Sequence, residues 1–327
     1  MTRRTRQLGT LVLTAAAIAY LVWKVDLDTT LDVLRETNLA WFALAVAIMV
    51  LTVPVLALRW RWLLEAHEIH ERVPWLTRAY FVAYTAGQVL PTSLGGDAVR
   101  IVETGRRHPG RTTVITGTVL LERGLGGAVT VALGAVGFLF SIGRYDVSAY
   151  LWLEGVFVLA TFALAFLFFA RSARPVLRRT HPLLERLRLE KPLRQFYEGI
   201  HHYRGRTGLL GRVLAVTLAV QAVRILSIWA AAKAVGIDLD PRIYYVFGPL
   251  LFLVMLVPFT LNGLAVREAF FVSFLGSVGV GASQAFAAGF LYFLVTLLLA
   301  FPGALIMLRD GLRPGAPSGP RPEVGHG

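Results

Sequence analysis

The sequence predicts an all-α polytopic membrane protein, and three observations carry that prediction. The first is composition. Of 327 residues 56% are hydrophobic and only 16% charged, whereas soluble domains carry roughly 25% charged residues. The second is spacing. Apolar runs at about 8–23, 39–58, 113–140, 151–170, 214–235 and 286–307 each approach the ~20 residues needed to cross ~30 Å of hydrocarbon. The third is the placing of Lys and Arg. With a cytoplasmic N-terminus, the inner loops hold 24 of them and the outer loops 4, the bias that fixes orientation. Both termini are then expected in the cytoplasm and the chain in the plasma membrane. The net charge of +13 sits in these loops, which points to anionic lipid headgroups and away from nucleic acid. With no cysteine present, disulfides, thiol nucleophiles and cysteine-held zinc are excluded.

Taken in order, the run at 8–23 follows a basic start and also fits a signal peptide, but it continues through Trp23 as a span would. After the span at 39–58, the apolar piece at 79–90 has 12 residues, about 18 Å of helix, and stops at Pro91. Its counterpart at 243–257 stops at Pro258. Both run into related strings, "PTSLGGDAVR" and "PFTLNGLAVR", identical at six of ten positions. The charge bias holds only if each short piece returns to the side it entered from. Both are therefore expected to be re-entrant hairpins, one from the cytoplasm around Pro91, the other from outside around Pro258. A full span precedes and follows each. The reading is about six full spans plus two re-entrant hairpins, arranged as an inverted repeat: repeat A at 39–140, repeat B at 214–307, within one domain at 1–308. Inverted repeats with broken helices build many transporters. The basic loop at 171–213 places Leu193, Phe196, Tyr197, Ile200 and Tyr203 at helical spacing, which suits an interfacial amphipathic helix or a plain basic anchor. The tail at 309–327 is Pro/Gly-rich and expected to be disordered.

Backbone that leaves helical geometry inside a bilayer is tolerated where it lines a cavity or is buried in protein. Pro91 and Pro258 end the first half-helices, and Ser93, Gly95 and Gly96, with Thr260 and Gly263, supply the turns. The second half-helices are expected to start near Gly96 and Gly263, with free N–H groups that favour an anion. Arg100 and Arg267, one turn on, bring forked guanidiniums to the same anion. Glu122, Arg123 and Arg224 lie deep in spans, and Asp97, Asn262 and Glu268 add polarity near the turns. Charges at such depth cost ~2.5–3.5 kcal/mol each on insertion and normally face a cavity or pair. Four arginines against three carboxylates leave one positive charge for a bound phosphate. The alternatives are strings at the membrane surface and purely structural salt bridges. His67 and His70 have metal-like spacing without a partner, so no metal or cofactor is expected.

"LPTSLGGDAVR", the intramembrane "LER" at 121–123 and the later "NGLAVRE" together resemble the transmembrane region of lysyl-phosphatidylglycerol synthases, over roughly residues 8–308. The resemblance implies a flippase module with re-entrant helices around a central cavity. In two-part members it translocates aminoacylated phosphatidylglycerol made by a separate C-terminal domain, and relatives are associated with glycosyltransferases that use polyprenyl-phosphate carriers. By the same resemblance Pro91, Gly95, Gly96, Asp97, Arg100, Glu122, Arg123, Gly263, Arg267 and Glu268 occupy family positions. Asn262 and Ala265 depart from the usual glycine-rich second string. Because the chain ends soon after the last span, the expectation is transport of an anionic lipid, without the catalytic domain. Two alternatives stand beside it. One is an integral-membrane, glycosyltransferase-like enzyme with Asp97 or Glu268 as base. The other is a non-transporting partner of a separate lipid synthase or glycosyltransferase.

Overall fold

In hydrocarbon a backbone has no water to bond, so long apolar runs fold as helices that satisfy their own N–H and C=O groups. The computed structural model describes residues 18–89, 95–141, 152, 206–256 and 265–311, and the regular structure among them is entirely helical. α1 (Leu27–Arg35) is a short amphipathic helix capped by Asp26, whose carboxylate accepts from the Thr29 N–H at 2.8 Å. That backbone bond holds the Asp26 carboxyl below its usual range. α2 (Leu39–Glu65), α3 (Val73–Val89), α4 (Gly95–Arg107) and α5 (Thr112–Ser141) follow. Then come α6 (Thr207–Ala234), α7 (Tyr244–Leu256), α8 (Val266–Ser277) and α9 (Ala282–Gly311).

The helices α2, α5, α6 and α9 are each long and apolar enough to cross a membrane, and the chain is a membrane protein by that measure. Their outward faces agree. Leu51 is 69% exposed and Phe301 56%, while Trp60, Leu63 and Ala231 are fully buried. Large apolar side chains point outward because lipid, unlike water, does not drive them in. Where α2 and α6 pack along each other, the Ser227 hydroxyl donates to the Ala45 carbonyl at 2.9 Å and the Trp41 and Trp229 rings meet edge to face at 5.1 Å.

The order long, short, short, long occurs twice, as α2 to α5 and as α6 to α9. Contacts at the helix ends show where each short pair opens. α3 begins and α4 ends beside the C-terminal ends of α2 and α9: Arg107 donates to Glu71 at 2.6 Å, and Arg78 pairs with Asp310. α7 begins at the other end, where Asn38 N–H bonds the Ala234 carbonyl and the Trp229 indole bonds the Leu239 carbonyl. The two pairs are held shut differently. At the start of α4, a Cβ on Gly96 would lie 2.3 Å from the Ala83 carbonyl oxygen, so α3 and α4 touch backbone to backbone. α7 and α8 instead lock through Phe247, whose ring centroid is 4.6 Å from Phe271 and 5.1 Å from Phe274.

Several expected boundaries move. α2 runs to Glu65 rather than 58, and α6 starts at Thr207 rather than 214. α3 spans 17 residues rather than 12, because its first turn, with Trp75 and Arg78 among the buried Leu76 and Ala79, is amphipathic and breaks the apolar run. α4 starts where expected, but α8 begins at Val266, not near Gly263. α9 continues to Gly311, into the segment expected to be disordered. The remainder of that tail, the run at 151–170 apart from Trp152, the amphipathic stripe at 193–203 and most of 8–23 lie outside the described residues. So do Pro91, Ser93, Pro258, Thr260, Asn262 and Gly263.

Ala265, just before α8, has φ +64° and ψ −37°. This is the position where the sequence departs from a glycine-rich string, and the backbone there has the sign of φ that glycine tolerates best. A Cβ in such a conformation costs of order 1–3 kcal/mol. Glycine relieves that at the expense of roughly 0.4–1 kcal/mol of unfolded-chain entropy. Ala265→Gly is therefore expected to raise stability by about 1 kcal/mol, read as a higher melting temperature of the purified protein in detergent. A lower melting temperature would show that the alanine is unstrained.

Candidate functional site

Four helices meet at one carboxylate, and a fifth touches it through Arg59. Glu122 on α5 is 3% exposed. Its Oε1 accepts from Arg59 of α2, at 2.8 Å from Nη2 and 3.2 Å from Nε, and from the Tyr80 hydroxyl of α3 at 2.9 Å. Its Oε2 accepts from Arg100 Nη1 of α4 at 2.8 Å. Arg59 also donates to the Thr217 hydroxyl of α6 at 2.9 Å. Arg100 reaches Asp97 Oδ1 at 3.2 Å, and the other Asp97 oxygen is 3.1 Å from Arg123 Nε. The Arg100 guanidinium lies 4.3 Å from the centroids of both the Trp60 and Tyr80 rings, so cation–π attraction adds to its ion pairs. It is 3% exposed, and its Nε has no hydrogen-bond partner among the described residues. These groups line a charged chamber of about 200 Å³.

A second space, the inner cavity, of about 300 Å³, lies deeper between α2, α3 and the helices of the second half, and shares Tyr84, Gln221 and Arg224 with the charged chamber. Arg224 sits at the junction. Its Nε donates to the Thr52 hydroxyl at 2.9 Å and its Nη2 to the Tyr84 hydroxyl at 2.8 Å. Among the described residues no carboxylate pairs with it. Arg267, 2% exposed, enters the same cavity from α8. Its guanidinium turns back on the neighbouring Glu268, at 2.9 Å from Nε, and lies 4.9 Å from the Phe293 ring. Glu268 Oε2 is buried without a hydrogen-bond partner. The rest of the cavity wall is mainly apolar, with Met49, Ile225, Leu251 and Met255 among its residues, and Gln88, Gln221, Thr130 and Thr296 set a few neutral polar groups into it; Gln221 donates to the Thr130 hydroxyl at 2.9 Å.

Of the residues expected to act together, the structure brings Arg100, Arg123, Asp97 and Glu122 into one network, and Arg224 and Arg267 into the adjoining cavity. Arg100 and Arg267 do not line the same space, contrary to the expectation that both reach one anion. The balance also changes. Arg59, at the edge of its apolar run, is buried in the network, so five arginines face three carboxylates and the surplus is two. Tyr80 and Tyr84 were also missed, since a hydroxyl that serves a distant helix leaves no mark on its own sequence; so was Tyr292, whose ring lines the inner cavity. No cluster of three or more potential metal ligands occurs among the described residues.

Fold and site together define a polytopic helical membrane protein whose spans enclose a connected pair of arginine-lined cavities. The family matched is the lysylphosphatidylglycerol synthase TM region, over residues 7–303, and the chain belongs to it. It is also similar to glycosyltransferase AglD of Haloferax volcanii, with 29% identity over 273 residues, covering 74% of this chain and 43% of that protein. The chain thus spans less than half the length of that curated relative.

Proposed function

We propose that this protein is a lipid flippase that moves an anionic phospholipid or a polyprenyl-phosphate-linked lipid between leaflets, with the headgroup phosphate held by intramembrane arginines. The observation that carries the reading is Arg224: a cation in a cavity inside a membrane protein, served by two hydroxyls and by no carboxylate among the described residues. Leaving an arginine there is costly, and a phosphate that arrives with its own negative charge offsets that cost. The paired order of long and short helices supports a repeat, which we read as inverted, with six spans and two re-entrant hairpins; the bias of Lys and Arg toward one set of loops supports termini inside, at the plasma membrane. The two units would rock about the cavity to expose it to each leaflet in turn, while the lipid tails stay in the bilayer.

The test is headgroup translocation in reconstituted vesicles. Arg224→Ala and Arg267→Ala are expected to abolish it while the protein stays monodisperse. Wild-type rates in both would remove the mechanism. Arg100, first expected in this role, is a poorer probe because its ion pairs belong to the scaffold.

A second reading has one observation behind it. The similar protein named a glycosyltransferase extends well beyond the matched region, so this chain would serve as the membrane partner of a separate lipid-modifying enzyme, or take part in such chemistry itself. Turnover of a sugar donor by the purified protein, unaffected by loss of Arg224, would favour it.

A further inference from the structure

Among the described residues, those lining the inner cavity include two arginines, two glutamines and several hydroxyls, but no aspartate or glutamate. Glu268 is not among them, and its charge is matched by Arg267. Asp97 and Glu122 belong to the adjoining charged chamber, where each already serves two arginines. Among the described residues the inner cavity therefore presents one unmatched positive charge, Arg224, in a largely apolar wall whose few polar groups are neutral.

We infer that the inner cavity selects a monoanionic phosphodiester whose remaining headgroup is neutral and hydroxylated, such as glycerol or a sugar, and rejects headgroups that carry ammonium groups. The inference rests on the transport reading for its setting. One phosphodiester anion balances Arg224. A lysyl-esterified headgroup brings two ammonium groups with its single phosphate, a net positive charge, and would enter a site that is itself positive. An ammonium taken from water without a carboxylate to receive it bears an uncompensated desolvation cost. Hydroxyl groups suit the neutral polar groups set into that wall. Gln221 has an amide oxygen unengaged among the described residues, and the Thr130 and Thr296 hydroxyls line the same space. The volume of about 300 Å³, at the lower edge of small-molecule sites, admits a phosphate with a small polyol but not acyl chains. Phe252, 36% exposed, is one of the apolar residues lining the cavity.

The deciding experiment is native mass spectrometry of the full chain in detergent with equal amounts of phosphatidylglycerol and lysyl-phosphatidylglycerol, alongside vesicle translocation of each. Phosphatidylglycerol is expected to be retained at least tenfold better. Arg224→Gln should reduce that retention about tenfold, and Arg224→Lys should restore part of it, which separates lost charge from misfolding. Gln221→Glu, which places a carboxylate one helical turn from Arg224, should shift the preference toward the lysyl lipid. Equal or better retention of the lysyl lipid by the unaltered protein would overturn the inference, as would Arg224→Gln binding phosphatidylglycerol like wild type. Glycerophosphoglycerol, the same headgroup without acyl chains, tests the source of the ligand: retention of the lipid in its presence supports a membrane source, and displacement would overturn one. Arg224-dependent retention with no translocation would instead sink the transport reading alone.

Discussion

Glu122→Ala should unfold the protein more readily than any other single truncation in the charged chamber. The change removes the acceptor for Arg59, Tyr80 and Arg100 at once. Arg100 keeps Asp97 and two aromatic faces, but Arg59, 6% exposed, keeps only the Thr217 hydroxyl. Breaking a buried pair from one side typically costs ~3–5 kcal/mol, because the surviving charge stays buried without compensation. That range is the expected loss, read from the melting temperature and denaturant resistance of the purified protein. The sharper check is a sign reversal. Arg59→Met should destabilise the native protein, where it strands a carboxylate, yet stabilise the Glu122→Gln variant, where it removes a stranded cation and inserts an apolar side chain. Should Arg59→Met cost the same in both backgrounds, the pairing is not the source of stability.

That Glu122 carries structure was only half legible in the sequence. Its depth in a span announced a pairing, and Arg100, one of its two arginine partners in the structure, was among the deep arginines the sequence singles out. Arg59 was not. The "RWRW" at 59–62 reads as the start of a basic loop, since a charge ends an apolar window, yet α2 continues to Glu65. A helical period puts Arg59, Trp60, Leu63 and Leu64 on the buried side and Arg61 outside, pairing with Glu65 at 2.6 Å. The buried residues that follow Arg59 were the available signal. The four long spans were legible because length and apolarity alone decide them. The short helices were legible as a repeat, through shared Pro, Gly and Arg, although their ends were not. What sequence could not supply is which arginine lacks an acid. Arg100 and Arg267 stand in the repeated strings and attract notice, whereas Arg224 lies in the middle of α6, outside either string. Its isolation is a property of three-dimensional neighbours, Thr52 and Tyr84, that come from two other helices.

Gly303→Val should separate two helices that the cavity depends on. A Cβ at Gly303 of α9 would lie 2.0 Å from the Phe81 carbonyl oxygen and 2.4 Å from both the Phe81 carbonyl carbon and the Thr85 hydroxyl. The obstacle is mostly α3 backbone, which no rotamer change relieves. The valine therefore costs more than the ~1–3 kcal/mol of ordinary overpacking. The same contact aligns Thr85 with the Ala300 carbonyl at 2.5 Å and Gln88 with the Thr296 carbonyl at 3.2 Å, so a displaced α3 would carry Tyr84 and Gln88 out of the cavity wall. The expected result is loss of the monodisperse species or, where some protein survives, loss of translocation with it. Gly137 makes the equivalent approach in the first half: a Cβ there would lie 2.6 Å from the Tyr245 carbonyl oxygen, joining α5 to α7. Gly137→Val should act alike. Gly127→Ala, on the same helix with nothing within 4 Å of the added Cβ, controls for the substitution and should melt at or above the wild-type temperature, since alanine favours helix by up to about 1 kcal/mol. Each short pair is thus clasped by the last long helix of the other half, which couples the two halves at the points where movement between them would have to begin. A Gly303→Val variant that melts and transports like wild type would break that argument at its root.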